Sequence, residues 1–387
     1  MHNKKLVILI SSLVQGGAER RASSLGNDLA EKGYRVDLIT LDSGVNFSIS
    51  GKVNYHQVSA LDAHANKLVK LFYTPYQVIK LRKLIKEINP DIVLSFLERP
   101  NLLNVLLKNN LKYKSIASVR SFPSISYKKG FHGFIFKKFL RHIAKKADKI
   151  IANSEQTVKD LVENFNSDPE KTVVIYNPYD IEEIKNLTKE AVNHPWFQEN
   201  VPIVISSGRL VEQKGQWHLI RAFSEIRKKT KARLIILGDG KLEEYLKKLA
   251  RELAIENEVA FLGWKKNPFK YIAKSSVFAF PSLYEGFPNA LVEAMICGVS
   301  VISSDCFSGP REILGNDEYG VLFPVCDGKL YGAKDPLTKE ENTLALGISK
   351  LLENKELREE YKIKALERVK DFSKERIIPE YEKHLFN

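Results

Sequence analysis

Short apolar runs alternate with longer amphipathic segments along the whole chain. Runs at 6–11, 35–40, 92–96, 115–119, 149–152 and 172–175 predict strands in the first half, with helical spacing between them, notably over 18–32 and 68–88. A second series predicts strands at 203–207, 233–237, 259–262, 277–280 and 299–303. Its helices are expected at 216–228, 242–254, 268–274 and 288–297, then at 341–370 and 373–385. Strands separated by helices in this way indicate parallel sheets in α/β layers. Between the two series lies a polar, proline-containing stretch, 193–202, which reads as a domain boundary. The expected fold class is α/β, with two doubly wound, Rossmann-like domains over 1–195 and 196–370 and a terminal helix over 371–387. Ligands of such sheets bind beyond the carboxyl ends of the strands, and the cleft between two facing halves is the default site.

The length of 387 residues suits two domains better than one, and 44% hydrophobic residues supply material for two cores. Disorder, collagen and fibre are excluded on composition. Cys297, Cys306 and Cys326 form no CxxC pair and no His/Cys ligand spacing. That argues against a disulfide framework or a structural zinc site, and fits a reducing compartment. Lys4-Lys5 ahead of an apolar run resembles a short leader, but no small-residue cleavage site follows, and Gln15-Gly-Gly-Ala-Glu-Arg20 comes at once. A strand buried on both faces fits better. No apolar stretch reaches the roughly 18 uncharged residues of a membrane-spanning helix. Charge changes the picture more. Residues 1–195 hold 30 basic and 19 acidic side chains, a net of +11, whereas the rest hold 30 and 28, a net of +2. The first half is expected to face an anionic partner.

Three motifs carry candidate chemistry. Gly16-Gly17 follows the first strand and opens a helix, where free N–H groups suit an anion. Gly16-Gly-Ala-Glu-Arg-Arg21 is not G-x-G-x-x-G, so NAD is disfavoured. The second motif, Ser206-Ser-Gly-Arg-Leu-Val-Glu-Gln-Lys-Gly215, sets Arg209 and Lys214 on one glycine-bearing loop. A forked guanidinium and a mobile ammonium together neutralise a diphosphate without a metal. The third, Ser282-Leu-Tyr-Glu-Gly-Phe-Pro-Asn-Ala-Leu-Val-Glu-Ala-Met295, separates Glu285 and Glu293 by seven residues. Pro288 is read as the first helical position, with Glu285 in the loop before the helix and Glu293 inside it. The loop N–H groups from Gly286 to Ala290, Pro288 having none, are then expected to point at a phosphate or a sugar hydroxyl. Each motif alone has a plain reading: a tight turn, two solvated cations, acids favoured by a helix dipole. Their combination does not.

Arg209…Lys214, Glu285-x7-Glu293 and Ser308-Gly-Pro-Arg-Glu-Ile313 together resemble the retaining glycosyltransferases of family 4, over nearly the whole chain. The resemblance implies the GT-B fold, with two Rossmann-like domains facing across a cleft and a terminal helix crossing back to the first. It implies that 1–195 receives the acceptor and 196–370 binds a nucleotide-sugar, UDP being the more usual nucleotide. Arg209 and Lys214 match the family's diphosphate-binding pair, Glu293 the ribose-binding residue, and Glu285 the residue that contacts the transferred sugar. Gly16 and Gly17 match the turn that approaches the donor phosphate. Gly238, Trp264 and Lys265 match the region of the base, and Gly286, Phe287, Pro288, Asn289, Ala290 and Leu291 the donor loop. One departure is Arg120, which stands where many relatives carry a histidine near the sugar, so it is the acceptor-side candidate. The Gly-Gly-Ala-Glu-Arg opening resembles the subset that builds bacterial surface polysaccharide on polyprenyl diphosphate carriers. The nucleotide-sugar would be a substrate, so no cofactor is expected. No metal is expected either, because no Asp-x-Asp or histidine cluster is present.

The segment 127–149 holds seven lysines and one arginine against a single acid, Asp148, with apolar residues at 136, 139, 140 and 143 in helical spacing. Such a helix suits an anionic membrane surface, with Lys137, Lys138, Arg141, Lys145 and Lys146 as the contacting cations. An ordinary core-facing helix with a solvated basic side remains the alternative. The combined expectation is a metal-independent enzyme, cytoplasmic and peripheral at the inner face of the cell membrane. A same-fold epimerase or phosphorylase stays open. So does a basic nucleic-acid-binding protein, although no RNA-recognition signature or zinc finger supports specific nucleic-acid binding.

Overall fold

The computed structural model describes residues 4–14, 16–126 and 130–387. Gln15 and the first three residues of the basic segment lie outside the described residues. The chain divides into two units, Met1–Pro178 with Lys374–Asn387, and Tyr179–Ser373.

The first unit runs β1 (Lys5–Ile10), α1 (Gly17–Glu31), β2 (Arg35–Thr40), β3 (Asn54–Gln57), α2 (Lys67–Ile88), β4 (Ile92–Phe96), α3 (Glu98–Lys108) and β5 (Lys114–Val119). It continues through α4 (Pro123–Ser126), α5 (Gly130–Lys146), β6 (Lys149–Ala152), α6 (Glu155–Phe165) and β7 (Thr172–Val174). Its seven strands lie in the order β3-β2-β1-β4-β5-β6-β7, all pairs parallel. Because side chains alternate along a strand, the inner strands feed two cores. Leu6, Ile8 and Ile10 pack with α1 and with the terminal helix on one side. Val7 and Leu9 pack with α2 and α3 on the other, where Ala117, Val119, Ile150 and Ala152 also meet α3, α5 and α6.

The second unit holds α7 (Ile181–Thr188), β8 (Ile203–Ser207), α8 (Gln216–Arg227), β9 (Arg233–Leu237), α9 (Glu243–Glu252), β10 (Val259–Gly263), α10 (Phe269–Ile272) and β11 (Val277–Phe280). Then come α11 (Asn289–Ile296), β12 (Ser300–Ser304), α12 (Pro310–Leu314), β13 (Val321–Phe323), α13 (Lys339–Glu353) and α14 (Lys355–Arg368). The strand order β10-β9-β8-β11-β12-β13 reverses between β8 and β11, again all parallel. A buried network braces this unit. Arg221 of α8 donates to Glu341 of α13 at 2.9 and 3.2 Å, and His218 Nδ1 lies 2.8 Å from the same carboxylate. Arg221 also donates to the carbonyls of Asp335 and Pro336, so one side chain fixes the loop before α13. The last helix, α15 (Lys374–Phe386), belongs to the first unit, where Phe386 stacks on Tyr34 at 4.1 Å.

Several features differ from the sequence reading, which also passes over β13. The edge strand β3 reads Asn-Tyr-His-Gln, polar enough to show no apolar run, and is held through His56 Nε2 at 2.7 Å from Asp37. The expected helix over 341–370 is two helices, because Asn354 leaves the helical region and its side chain caps the Leu357 N–H at 2.9 Å. The first unit ends at Pro178, ahead of the proline-containing stretch. Helix α7 packs on α10 and α11, and Tyr179 donates to Asn289 at 2.6 Å, so these residues join the second core.

Candidate active site

In the second unit the loops after β8, β9, β11 and β12 gather at the carboxyl ends of the strands, at the point where the strand order reverses. That is where open α/β sheets bind ligands. Gly238 makes one close approach possible: its φ is +122°, and a Cβ there would lie 2.1 Å from the Gly208 carbonyl oxygen. The β9 loop therefore lies directly against the β8 loop that carries Arg209.

Arg209 is exposed on that loop. Lys214 ends a short 3-10 turn, Glu212–Lys214, and is turned inward. Its Nζ lies 2.5 Å from Glu285 Oε1 and 5.1 Å from the centre of the Phe280 ring, with the two side chains 16% and 8% exposed. The β8 and β11 loops are also strapped together. Leu283 N–H donates to the Gln213 carbonyl at 2.8 Å, and Gln213 Nε2 returns a bond to the Tyr284 carbonyl at 2.8 Å. From β12, Ser308 Oγ donates to the Gly286 carbonyl at 2.7 Å, and the Phe307 carbonyl accepts from Glu285 N–H at 3.2 Å. The positions of Lys214 and Glu285 are thus set by main-chain bonds from two neighbouring loops. Cys306 sits beneath, its thiol pushed up to about 12 by burial and by the Glu285 charge.

Helix α11 begins at Asn289, so Pro288 stands at the N-cap rather than at the first helical position. Glu293 lies one turn inside, half-buried. Phe287 and Leu291 spend their side chains on packing, Phe287 against the Phe372 ring at 5.6 Å. With Gly286 and Pro288 also buried, this segment offers mainly backbone, together with half-buried Asn289 and Ala290. At the neighbouring strand end Trp264 is exposed and Lys265 half-buried after β10, and Gly238 N–H donates to Gly263 at 2.9 Å. No group of three His, Cys, Asp or Glu suited to a metal occurs among the described residues.

In the first unit, Gly16 caps α1 with φ +137°, and Gly17 is the first helical residue. Arg120, at the end of β5, is engaged on three sides: it donates to Asn177 at 2.8 Å and to the Tyr381 hydroxyl of α15 at 2.6 Å, and lies 4.9 Å from the Phe96 ring. Lys138, Arg141, Lys145 and Lys146 are exposed on α5, and Lys137 is half-buried. Sequence reasoning missed Gln213, Phe280 and Ser308 as supports of the site. Ser308 and Gln213 stood inside quoted motifs, but nothing in their spacing shows which carbonyl each would meet.

A parallel sheet with a reversed strand order carries two cations and a carboxylate at its carboxyl edge, where open α/β sheets take their ligands. Comparison with known proteins gives the class its name. Residues 15–183 match the model described as Glycosyltransferase Family 4, and residues 186–368 that described as Glycosyl transferases group 1. A Campylobacter jejuni protein, N-acetylgalactosamine-N,N'-diacetylbacillosaminyl-diphospho-undecaprenol 4-alpha-N-acetylgalactosaminyltransferase, is 34% identical over 99% of both chains. The chain belongs to the family 4 glycosyltransferases. Solved structures agree on the fold, which is GT-B. Sucrose-phosphate synthase from Thermosynechococcus elongatus superposes with a TM-score of 0.81 at 20% identity, and Anabaena HepE in complex with UDP with 0.76 at 21%, each over 98% of both chains.

Proposed function

We propose that this glycosyltransferase is a retaining, metal-independent enzyme. It moves a hexose or N-acetylhexosamine from a UDP-sugar to a saccharide carried on polyprenyl diphosphate, at the cytoplasmic face of a bacterial membrane. The observation that carries the reading is the full-length identity to a relative named for N-acetylgalactosamine transfer to a diphospho-undecaprenol-linked saccharide. The geometry of the second unit supports it chemically. Glu285 pairs with Lys214 and holds it turned inward. An arriving diphosphate brings more negative charge than one carboxylate and draws the ammonium over, with Arg209 beside it. Glu285 is then released to accept a hydroxyl of the transferred sugar, while Glu293 holds the ribose.

In the transfer the C1–O bond to the diphosphate breaks, and a bond from C1 to the acceptor oxygen forms on the same face. The acceptor proton passes to the departing phosphate oxygen, whose growing charge Arg209 and Lys214 stabilise. The Gly16-Gly17 turn at the start of α1 offers main-chain N–H groups to an anion, and Arg120, held by Asn177 and Tyr381, acts on the acceptor side. Lys137, Lys138, Arg141, Lys145 and Lys146 hold the enzyme on anionic lipid.

The test is incubation with a panel of UDP-sugars and a short-chain polyprenyl diphosphate disaccharide, with product mass and anomeric configuration read by mass spectrometry and NMR. Transfer with retention, unchanged in EDTA, is expected. Inversion, or an apo enzyme revived only by manganese, overturns the mechanism.

A further inference from the structure

We propose that the outward face of α2, continued by α3 and α5, is a lipid-docking surface fitted to an anionic bilayer. The inference rests on the membrane reading above, but it moves the apolar anchor from α5 to α2.

Helix α2 begins with its faces reversed. Positions 68, 72, 76 and 79 fall on one side by helical spacing. There Leu68, Phe72, Tyr76 and Ile79 stand in solvent, Phe72 80% and Ile79 70% exposed, with Val69 and Tyr73 beside them. The inward side of the same turns carries the polar Lys70, Thr74 and Gln77, and Val78 is the first apolar residue seen to pack toward the core. Gln77 is fully buried and donates through Nε2 to the Leu41 carbonyl at 2.9 Å, Asp42 Oδ1 at 2.9 Å and Ser59 Oγ at 2.7 Å. Lys70 Nζ donates to the Ala63 carbonyl at 2.6 Å and lies 3.4 Å from Asp42 Oδ2. Arg99 of α3 reaches both Asp42 oxygens at 3.1 and 3.2 Å. It also bonds the Gln77 side-chain carbonyl.

Asp42 is fully buried. Rolling α2 by half a turn would hide the apolar stripe, but would strip this carboxylate of two of its partners. The polar lock therefore holds the apolar side outward. Farther along, Leu81 and Ile85 pack into the core in the ordinary way, so the reversal is confined to the first three turns. A local rule broken at such cost, on one contiguous patch, marks an interaction surface.

The patch extends across one side of the sheet. Leu106 on α3 and Phe134 and Phe139 on α5 are exposed on the same helical layer, Phe134 by 69%. On the other side, α1 and α15 expose no large apolar residue among the described residues. The charge around the patch selects the occupant. Helix α2 carries six Lys and Arg against one acid, and α5 five against none. On α2 the cations Lys80, Lys83 and Lys86 continue the outer face beyond the apolar turns. Apolar side chains flanked by cations insert at a headgroup boundary and hold anionic lipid. A second copy docking by twofold symmetry would set this patch against itself, cation facing cation.

The experiment is flotation of the full chain with phosphatidylcholine vesicles, with and without phosphatidylglycerol, at roughly 0.1 M and 1 M salt. The wild type should float with anionic vesicles and less so at high salt. Phe72→Ser/Ile79→Ser should lose about tenfold in partitioning for each side chain withdrawn, with an unchanged melting curve. The same variant should keep wild-type transfer to a water-soluble acceptor. Phe72→Trp should shift its emission to the blue on anionic vesicles and be quenched by brominated lipid. Flotation of the Phe72→Ser/Ile79→Ser variant equal to wild type overturns the inference, and if glutamates at the five α5 cations do release the protein, the membrane reading itself stands. No flotation of the wild type sinks both, and a wild-type dimer that this variant makes monomeric assigns the face to a second copy. Absence of transfer from any UDP-sugar, with flotation intact, refutes the proposed function and leaves this surface standing.

Discussion

The two units are built on one plan and put their charge in different places. Each is a parallel sheet covered by helices, and each sets a fully buried carboxylate at the hub of a polar network, Asp42 in the first and Glu341 in the second. Around Glu341 the partners Arg221 and His218 are as deeply buried as the carboxylate, and the network braces a loop. Around Asp42 the partners Lys70 and Arg99 reach out to solvent, and the network sets the roll of a surface helix. In the second unit the charges of the proposed donor site sit mainly on the short loops after β8 and β11. In the first unit the cations of the proposed lipid surface are spread over the faces of α2 and α5. A diphosphate is small and needs a few charges held rigidly, whereas a lipid surface is broad and needs many charges held loosely.

The comparison breaks first at Glu341. Its carboxyl lies below its ordinary value near 4.5: burial acts to raise it, but bonds from His218, Arg221 and the Thr338 N–H outweigh that. A depressed folded-state value contributes stability above the unfolded value, and that stability is lost as pH falls through the folded one. Glu341→Ala should cost about 3–5 kcal/mol, and chemical denaturation from pH 7 down to about 3 should be less steep in pH than for wild type. Asp42→Ala should cost less, about 2 kcal/mol, because its cations can turn to water. Equal losses would mean that partner exposure does not distinguish the two networks.

Next come the strand-end cations. Arg209→Ala and Lys214→Ala should each lower turnover by about 10²–10³ while leaving the melting temperature near wild type. Activity within about threefold of wild type in both would remove the diphosphate assignment.

A smaller contrast separates the acids. Glu293→Ala should weaken UDP and UDP-sugar binding alike, by about 1–2 kcal/mol for a lost ribose contact. Glu285→Ala should spare UDP binding and lower turnover. Calorimetry in which only the Glu285 variant loses UDP would reverse the roles. The smallest effect is expected from Gln213→Leu, which removes a strap and not a contact: turnover should fall by about tenfold, corresponding to one hydrogen bond, with UDP affinity unchanged.

Much of this was legible in the chain itself. Near-continuous apolar runs at 6–10, 92–96 and 277–280 read as strands buried on both faces, and strands fall there because such runs leave no face for water. Glycines and charges at strand ends marked the candidate loops, and the 30-to-19 charge imbalance marked the first half. Packing alone decided the rest. That Lys214 meets Glu285 across 71 residues depends on β8 and β11 becoming neighbours, a fact of strand order and not of spacing. The outward roll of α2 is the clearest case. Its helical period is plain in the sequence, yet apolar and polar residues lie on opposite faces of its first turns, and either could have turned inward. The buried Asp42, delivered by the loop after β2, decides between them, because a charge without partners costs more inside a protein than a row of apolar side chains costs in water.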